Sequence, residues 1–290
     1  MSKPDRLNDV ERAHLVDPAD DSFRIARLAP SPAMASLVRR FWMPVWSVPG
    51  GGVRTQQVLQ YPCALIVVSH SYARFYGVAS GLSRTDLEGT GWACGVMLQP
   101  ATGHLLTGRS MRELRDRHVP LSDVLPGGEA LVTRVRRTLG PDPGDGERQR
   151  AAAGLLEAEL EHLLPIGEQA QRVNDVVAYV EGKPDLVRVS GLVEAFATTE
   201  RSLQRLTGRW LGLTPRWLVQ RRRLHEAAER LRHHEVDLAR VAADLGYADQ
   251  AHFTRDWRRV TGMTPGRFAA RFAAPDERRP RVAPARDRDR

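Results

Sequence analysis

Apolar positions in the last hundred residues recur at helical spacing, twice over. Val189, Leu192, Val193 and Phe196 stand at i, i+3, i+4 and i+7, and forty-nine residues later Leu238, Val241, Ala242 and Leu245 repeat the quartet. That spacing gathers four side chains on one helix face. Downstream the offset becomes fifty: Leu203, Arg205, Gly212, Thr214, Pro215 and Leu218 fall on Phe253, Arg255, Gly262, Thr264, Pro265 and Phe268. The difference of one is an insertion in the second turn, a change that a loop absorbs. The chain therefore carries two copies of one unit, each a short amphipathic helix, a tight turn and a second helix that stops at Gly-x-Thr-Pro. Between the copies, Trp217, Leu218, Leu224, Ala228 and Leu231 predict a continuous helix over 215–232. Its length is ~25 Å at ~1.5 Å per residue.

The first half reads differently. FWMPVWSV, QQVLQYPCALIVVS, ARFYGVAS and GWACGVMLQP are β-branched and aromatic runs punctuated by Gly and Pro, and strands at that spacing suggest a small barrel or sandwich. From RSMRELRDRHVPLSDVL the period turns helical. After GPDPGDGE, a helix over 148–164 carries Leu156, Leu160, Leu163 and Leu164 on one face. That face serves either as packing within its own domain or as a dimer surface. PIGEQ reads as the linker to the helical half. The expected fold class is α+β, with a β-rich domain over 22–165 and an all-helical domain over 170–272. A polar leader (1–21) and a Pro/Arg/Asp tail (275–290) with nothing to bury read as disordered.

A helix, a short turn and a second helix with outward polar residues is the helix-turn-helix pattern, whose second helix reads the major groove. In the first unit the reading helix begins after Thr199, a candidate N-cap. Leu203, Leu206 and Trp210 face inward, leaving Arg201, Gln204, Arg205 and Arg209 outward. In the second, Asp249 is the candidate cap, with Phe253, Trp257 and Val260 inward and Gln250, Thr254, Arg255 and Arg258 outward. Arg can take guanine O6 and N7, Gln adenine N6 and N7, and Thr either a base edge or a phosphate. The linking helix would hold the two readers in successive major grooves, ~34 Å apart.

Charge agrees with a polyanionic partner. Residues 1–165 hold 19 Lys and Arg against 18 Asp and Glu, whereas residues 166–290 hold 24 against 17. The positive field lies almost wholly with the repeated units. Candidate phosphate contacts are Arg209, Arg258 and the cluster Arg221, Arg222 and Arg223, whose other reading is a solvated face. No apolar run approaches the ~18 residues of a membrane helix, and the polar start predicts a cytoplasmic protein with no membrane association. The two cysteines, Cys63 and Cys94, make neither a disulfide framework nor a metal site and read as buried apolar residues. His70, His104 and His118 show no ligand spacing, so no metal or other cofactor is expected.

GYADQAHFTRDWRRVTGMTPGRF resembles the second helix-turn-helix of the AraC/XylS family of bacterial transcription regulators, and ATTERSLQRLTGRWLGLTPRWL resembles the first. The likeness covers about residues 170 to 272, with units over 186–212 and 236–262. It implies a sequence-specific DNA-binding regulator, with base-reading positions at Arg201, Ser202, Gln204 and Arg205 in the first unit and Gln250, Ala251, Thr254 and Arg255 in the second. Three residues depart from the family pattern. Ala197 stands where the first turn usually has Gly, and Thr207 and Gly208 replace an aromatic and basic pair. A glycine inside a helix costs roughly 1 kcal/mol against Ala, so the first reading helix is expected to be the softer one.

LVRRFW, ATGHLLTG and RELRDRHVPLSDVL resemble the sensing domains of some members, a cupin-like β fold followed by helices. The resemblance implies an unknown small-molecule effector, homodimerisation through this domain, and double-stranded DNA as partner, with RNA polymerase added for an activator. Two rival readings stand beside it. One is a small-molecule-binding module whose helix pair does not bind DNA. The other is a DNA-repair enzyme with such a C-terminal pair, which would need a four-cysteine zinc site. No nucleophile elbow, phosphate loop or paired-carboxylate motif points to catalysis.

Overall fold

A computed structural model describes residues 14–15, 21–233 and 236–273. The leader and the tail lie outside the described residues, except for His14, Leu15 and Asp21. The two leader residues His14 and Leu15 are buried, the first against strand residue Val58, which corrects the expectation of a disordered leader at that point.

Among the described residues, eight strands form the N-terminal part: β1 (Phe23–Leu28), β2 (Val38–Ser47), β3 (Val53–Val58), β4 (Leu65–Ser69), β5 (Ala73–Tyr76), β6 (Ser83–Glu88), β7 (Thr90–Leu98) and β8 (His118–Pro120). Six make one antiparallel sheet in the order β1-β2-β7-β4-β5-β8, and β3 pairs with β6 in a separate ribbon. Period-two alternation splits the side chains between the faces. Phe41, Ile66, Val68, Phe75, Cys94 and Val96 join the core against the helices, while Trp42, Trp46, Leu65, Val67 and Ala93 pack on the opposite face with Leu87 of the ribbon. Strand β7 lies between β2 and β4, which is why its run WACGVML is buried on both faces. Burial pushes the thiols of Cys63 and Cys94 up to about 12, and both cysteines are free.

On the side facing the ribbon, two glycines of β7 seat two indoles of β2. In register, Trp46 stands opposite Gly91 and Trp42 opposite Gly95. A Cβ on Gly95 would meet three atoms of the Trp42 ring at 2.3–2.5 Å, so this indole lies down across the strand only because no side chain is there. Between sheet and ribbon is a cavity of about 370 Å³.

Helices α1 (Thr102–Thr107), α2 (Gly128–Leu139) and α3 (Gly146–Leu160) follow the strands. Asp145 caps α3 by accepting from the Arg148 N–H at 2.8 Å, a contact worth about 1 kcal/mol. Leu156 and Leu160 are buried with α2 residues Leu131, Val135 and Leu139 in the core beneath the sheet, with Leu163 and Leu164 packed against it. The leucine face thus serves its own domain and is not free as a dimer surface. The helical reading from residue 109 is also corrected. Residues 111–116 form turns, His118–Pro120 pairs with β5, and a 3-10 turn spans Leu121–Asp123. Asp116, at a φ of +59°, is in a conformation that no helix continues.

Seven helices complete the described chain: α4 (Glu168–Gly182), α5 (Ser190–Ala195), α6 (Glu200–Trp210), α7 (Pro215–Arg230), α8 (Leu238–Asp244), α9 (Gln250–Thr261) and α10 (Pro265–Ala273). Gly-x-Thr-Pro is more than a stop. Gly212 and Gly262 take a positive φ, then Thr214 and Thr264 accept from the N–H groups of Trp217 and Arg267, opening α7 and α10. Proline at the first helical position completes the signal. The sequence reading recognised α7 but not α10, whose Phe268 is fully buried against Trp257.

The two halves are docked. Val78 and Ala101 of the first enter the core of the first unit, and Leu15 and Leu59 enter that of the second. Arg39 forks onto Glu181 at 2.9 and 2.8 Å, and Asn174 Oδ1 accepts from the Ala101 N–H.

Candidate nucleic-acid interface

Each reading helix is started and anchored as its sequence predicts. The Thr199 hydroxyl accepts from the Ser202 N–H at 3.2 Å, and the Asp249 carboxylate from the His252 N–H at 2.6 Å. Leu203, Trp210, Phe253 and Trp257 are buried, with Leu206 and Val260 partly so. The tight turns need a left-handed residue. Gly246 supplies it at φ +72° in the second unit, and Ala197 is held there at +42° in the first, a strained conformation for a residue with a Cβ.

Arg201, Gln204, Arg205, Gln250, Ala251 and Arg255 are exposed, and Ser202 and Thr254 are half-buried. Two of these are engaged within α6: Gln204 donates to Glu200 at 3.0 Å, and Ser202 shares its hydroxyl with Thr199. Between the units lies a cleft of about 710 Å³, lined by Arg188, Arg216, Arg223, His252, Arg255 and Arg259 among others. It concentrates guanidinium groups beside Arg255, and such a groove attracts a phosphate chain.

One carboxylate fixes the geometry of that cleft. Asp256 accepts from Gln220 at 2.5 Å, from the Tyr247 hydroxyl at 3.0 Å and from Arg259 at 2.6 Å. It thereby ties reading helix α9 to the linking helix α7 and to its own turn. Burial, with Asp256 adding to it, pushes the Tyr247 hydroxyl well above its ordinary value, so it stays a donor. Arg223 lies over the Tyr247 ring at 3.7 Å, and its Nε and Nη2 have no partner among the described residues.

The arginine cluster of α7 divides. Arg223 turns to the cleft, but Arg221 and Arg222 are only 3% and 6% exposed. Arg221 donates to the carbonyls of Ser80 at 2.5 Å and Gly81 at 3.2 Å, and Arg222 donates to that of Leu186 at 3.1 Å. Both were candidates for phosphate contact, and burial corrects both: their guanidinium groups are enclosed and donate to carbonyls inside the protein. Burial pulls the Arg221 guanidinium down to about 9, opposed by Asp116, and a charge in that setting needs its carbonyl partners. Arg209 and Arg258 remain exposed. Arg188, Arg216, His252 and Arg259 were not recognised from sequence. Arg216 carried a signal, a basic residue directly after Gly-x-Thr-Pro, whereas His252 and Arg259 reach the cleft from α9 and Arg188 from the segment before α5.

The departures at Thr207 and Gly208 also find their place. Both are buried, and Gly208 lies against the guanidinium of Arg112 in the turn at 111–116. There the Met111 N–H donates to the Arg209 carbonyl at 2.9 Å, and Arg115 donates to the Gly212 carbonyl.

Residues 192–271 match the family described as helix-turn-helix domain, and residues 26–120 a domain of unknown function, DUF6597. The chain is 33% identical over 140 residues to the HTH-type transcriptional activator RhaS of Escherichia fergusonii, covering 47% of this chain and 50% of that protein. Against RhaS of Escherichia coli (strain SE11) it is 33% identical over 97 residues, covering 33% and 35%. The chain thus spans half or less of the length of these relatives. Among solved structures, ToxT from Vibrio cholerae O395 covers 87% of this chain and 99% of its own at a TM-score of 0.39 and 9% identity. The C-terminal domain of AraT, a response regulator from Geobacillus stearothermophilus, covers 39% and 93% at a TM-score of 0.33 and 20% identity.

Proposed function

We propose that the chain is a sequence-specific DNA-binding transcription regulator of the AraC/XylS family, a reading supported by its helix-turn-helix match over residues 192–271. One observation carries the reading. Two register-matched units bury the inner residues of both reading helices and leave Arg201, Gln204, Arg205, Gln250, Ala251 and Arg255 exposed. Exposed arginines at Arg209 and Arg258, with the cleft arginines Arg223, Arg216 and Arg259, supply phosphate contacts that set register without reading sequence. Base edges are read by the outward residues of α6 and α9, the two half-buried ones, Ser202 and Thr254, included. The DNA-binding part spans about 170 to 272, and residues 22–165 form the sensing part.

Effector response runs through a shared wall. Val58 and Gln60 line the cavity of the β domain, and between them the Leu59 carbonyl accepts from His225 of α7 at 2.6 Å. A ligand pressing on residues 58–60 therefore acts on the helix that spaces the two readers. The relatives are named transcriptional activators, which supports activation with RNA polymerase as partner, and a chromosomal target implies the cytoplasm. Among the described residues no helix is long and apolar enough to cross a membrane.

A gel shift on the DNA upstream of its own gene tests the reading. Wild-type protein is expected to shift that DNA in preference to random sequence, and Arg255→Ala to cost about 1–3 kcal/mol on the cognate site alone. No sequence-specific shift for the wild type would overturn the regulator. Equal losses on cognate and random DNA for Arg255→Ala would remove its base-reading role.

A further inference from the structure

We infer that the cavity between the main sheet and the β3–β6 ribbon takes an uncharged, flat aromatic molecule, held on the indoles of Trp42 and Trp46. The inference rests on the sensing role proposed above and names the ligand class of that site.

The first observation is shape. Trp42 lies across Gly95, and Trp46 across Gly91 in the same manner. So seated, both indoles line the cavity, Trp46 with His70 packed edge-on beside it at 5.6 Å. Tyr72 and Tyr76 line the same space from β5 and its turn. Aromatic side chains in this arrangement favour offset stacking of a planar guest, and about 370 Å³ falls within the range of drug-sized sites.

The second observation is charge. Among the described residues no Lys or Arg lines the cavity, and the guanidinium of Arg74 is stacked on the Tyr72 ring at 4.6 Å and donates to the Tyr76 hydroxyl. The two acidic lining residues, Asp86 and Glu88, lie on the outer parity of β6. Asp86 is paired with Thr55 and accepts its hydroxyl at 2.6 Å, while the inward residues of that strand are Ser83, Thr85 and Leu87. Glu88 is exposed, and its carbonyl accepts from Trp46 Nε1 at 3.2 Å. Each lining imidazole has one nitrogen engaged: His14 Nε2 is 3.0 Å from Gln56 Oε1, and His70 Nδ1 is 3.3 Å from the Trp92 carbonyl. An anion or a cation would enter without a counter-charge and lose its hydration. A neutral guest loses little, and Gln60 and Thr85 can serve its hydroxyl or carbonyl.

The test is calorimetric titration of the full chain with three probes of one shape: 4-hydroxybiphenyl, biphenyl-4-carboxylate and biphenyl-4-ylmethylammonium. The phenol is expected to bind at least about tenfold more tightly than either ion. Thr85→Trp, which adds bulk at the cavity from an exposed ribbon position, is expected to weaken the phenol by a similar factor. Ala93→Leu, which fills the cavity floor, is expected to do the same if the first variant fails to fold. Tighter or equal binding of either ion, no detectable binding of the phenol, or full binding by both folded variants would overturn the inference. A gel shift on the same wild-type preparation separates the two readings. A specific shift without phenol preference overturns the ligand class alone, and no specific shift overturns the regulator on which it rests.

Discussion

A Cβ placed on Gly208 would stand 2.1 Å from Nη2 of Arg112, so the glycine in the first reading helix is the seat of an arginine from the sensing half. The second unit has Arg258, exposed, at the equivalent position. Gly208→Arg is therefore expected to expel Arg112 while gaining about 1 kcal/mol of helix propensity. Hydrogen exchange would show the Met111 amide, bonded to the Arg209 carbonyl, losing at least about tenfold protection as that contact opens locally. Amides in α9 should be unchanged. Retained protection at Met111 would mean that the contact does not depend on the glycine.

Ala197 supplies a second expectation. Its φ of +42° lies where a side chain costs energy and glycine does not. Ala197→Gly should stabilise the protein by about 0.5–1 kcal/mol, the residual left after the greater chain entropy of unfolded glycine. Urea unfolding checks it, and a loss of stability would show that the turn tolerates alanine without strain.

These two positions show which features the sequence disclosed. The repeats, caps, inner anchors and outward readers follow from spacing and residue type, because helix periodicity and N-caps are local chemistry. Ala197 was visible as a departure because its partner unit has glycine. Gly208 was visible too, but only as a softened helix, since its reason is an arginine ninety-six positions earlier. The same blindness covers Arg221 and Arg222. A run of three arginines looks solvated, and only the packing of α7 on Ser80, Gly81 and Leu186 separates them from Arg223. The turns at 111–116 misled for a related cause: RELRDR has helical composition, yet Arg115 is drawn to the Gly212 carbonyl and Met111 to that of Arg209.

Asp256 is expected to matter for the pair of units more than for either. Asp256→Ala leaves Gln220, Tyr247 and Arg259 without their shared acceptor, and stranding buried donors costs about 1–3 kcal/mol. Thermal unfolding should register that loss. On DNA the variant should lose affinity for a site requiring both readers and keep its affinity for random sequence, because the exposed arginines are untouched. A uniform loss on both DNAs would instead make the aspartate a support for phosphate contacts.

The arginines of α7 and α9 separate two roles that one charge could play. Arg258 is exposed on the reading helix, so Arg258→Ala should lower the slope of log K against log salt by about one with little change in stability. Arg222 is enclosed and donates to the Leu186 carbonyl, so Arg222→Ala should leave that slope unchanged. Its effect should appear in stability, about 1–3 kcal/mol for a buried acceptor left unpaired. Arg221→Ala should behave likewise, since its charge is already opposed by burial and is held by the carbonyls of Ser80, Gly81 and Gln60 and by the Trp217 ring. Binding isotherms at several salt concentrations, paired with urea unfolding of the same variants, check both halves of the contrast. A unit drop in slope for Arg222→Ala would mean that α7 leaves the sensing half when DNA binds and presents its arginines to phosphate.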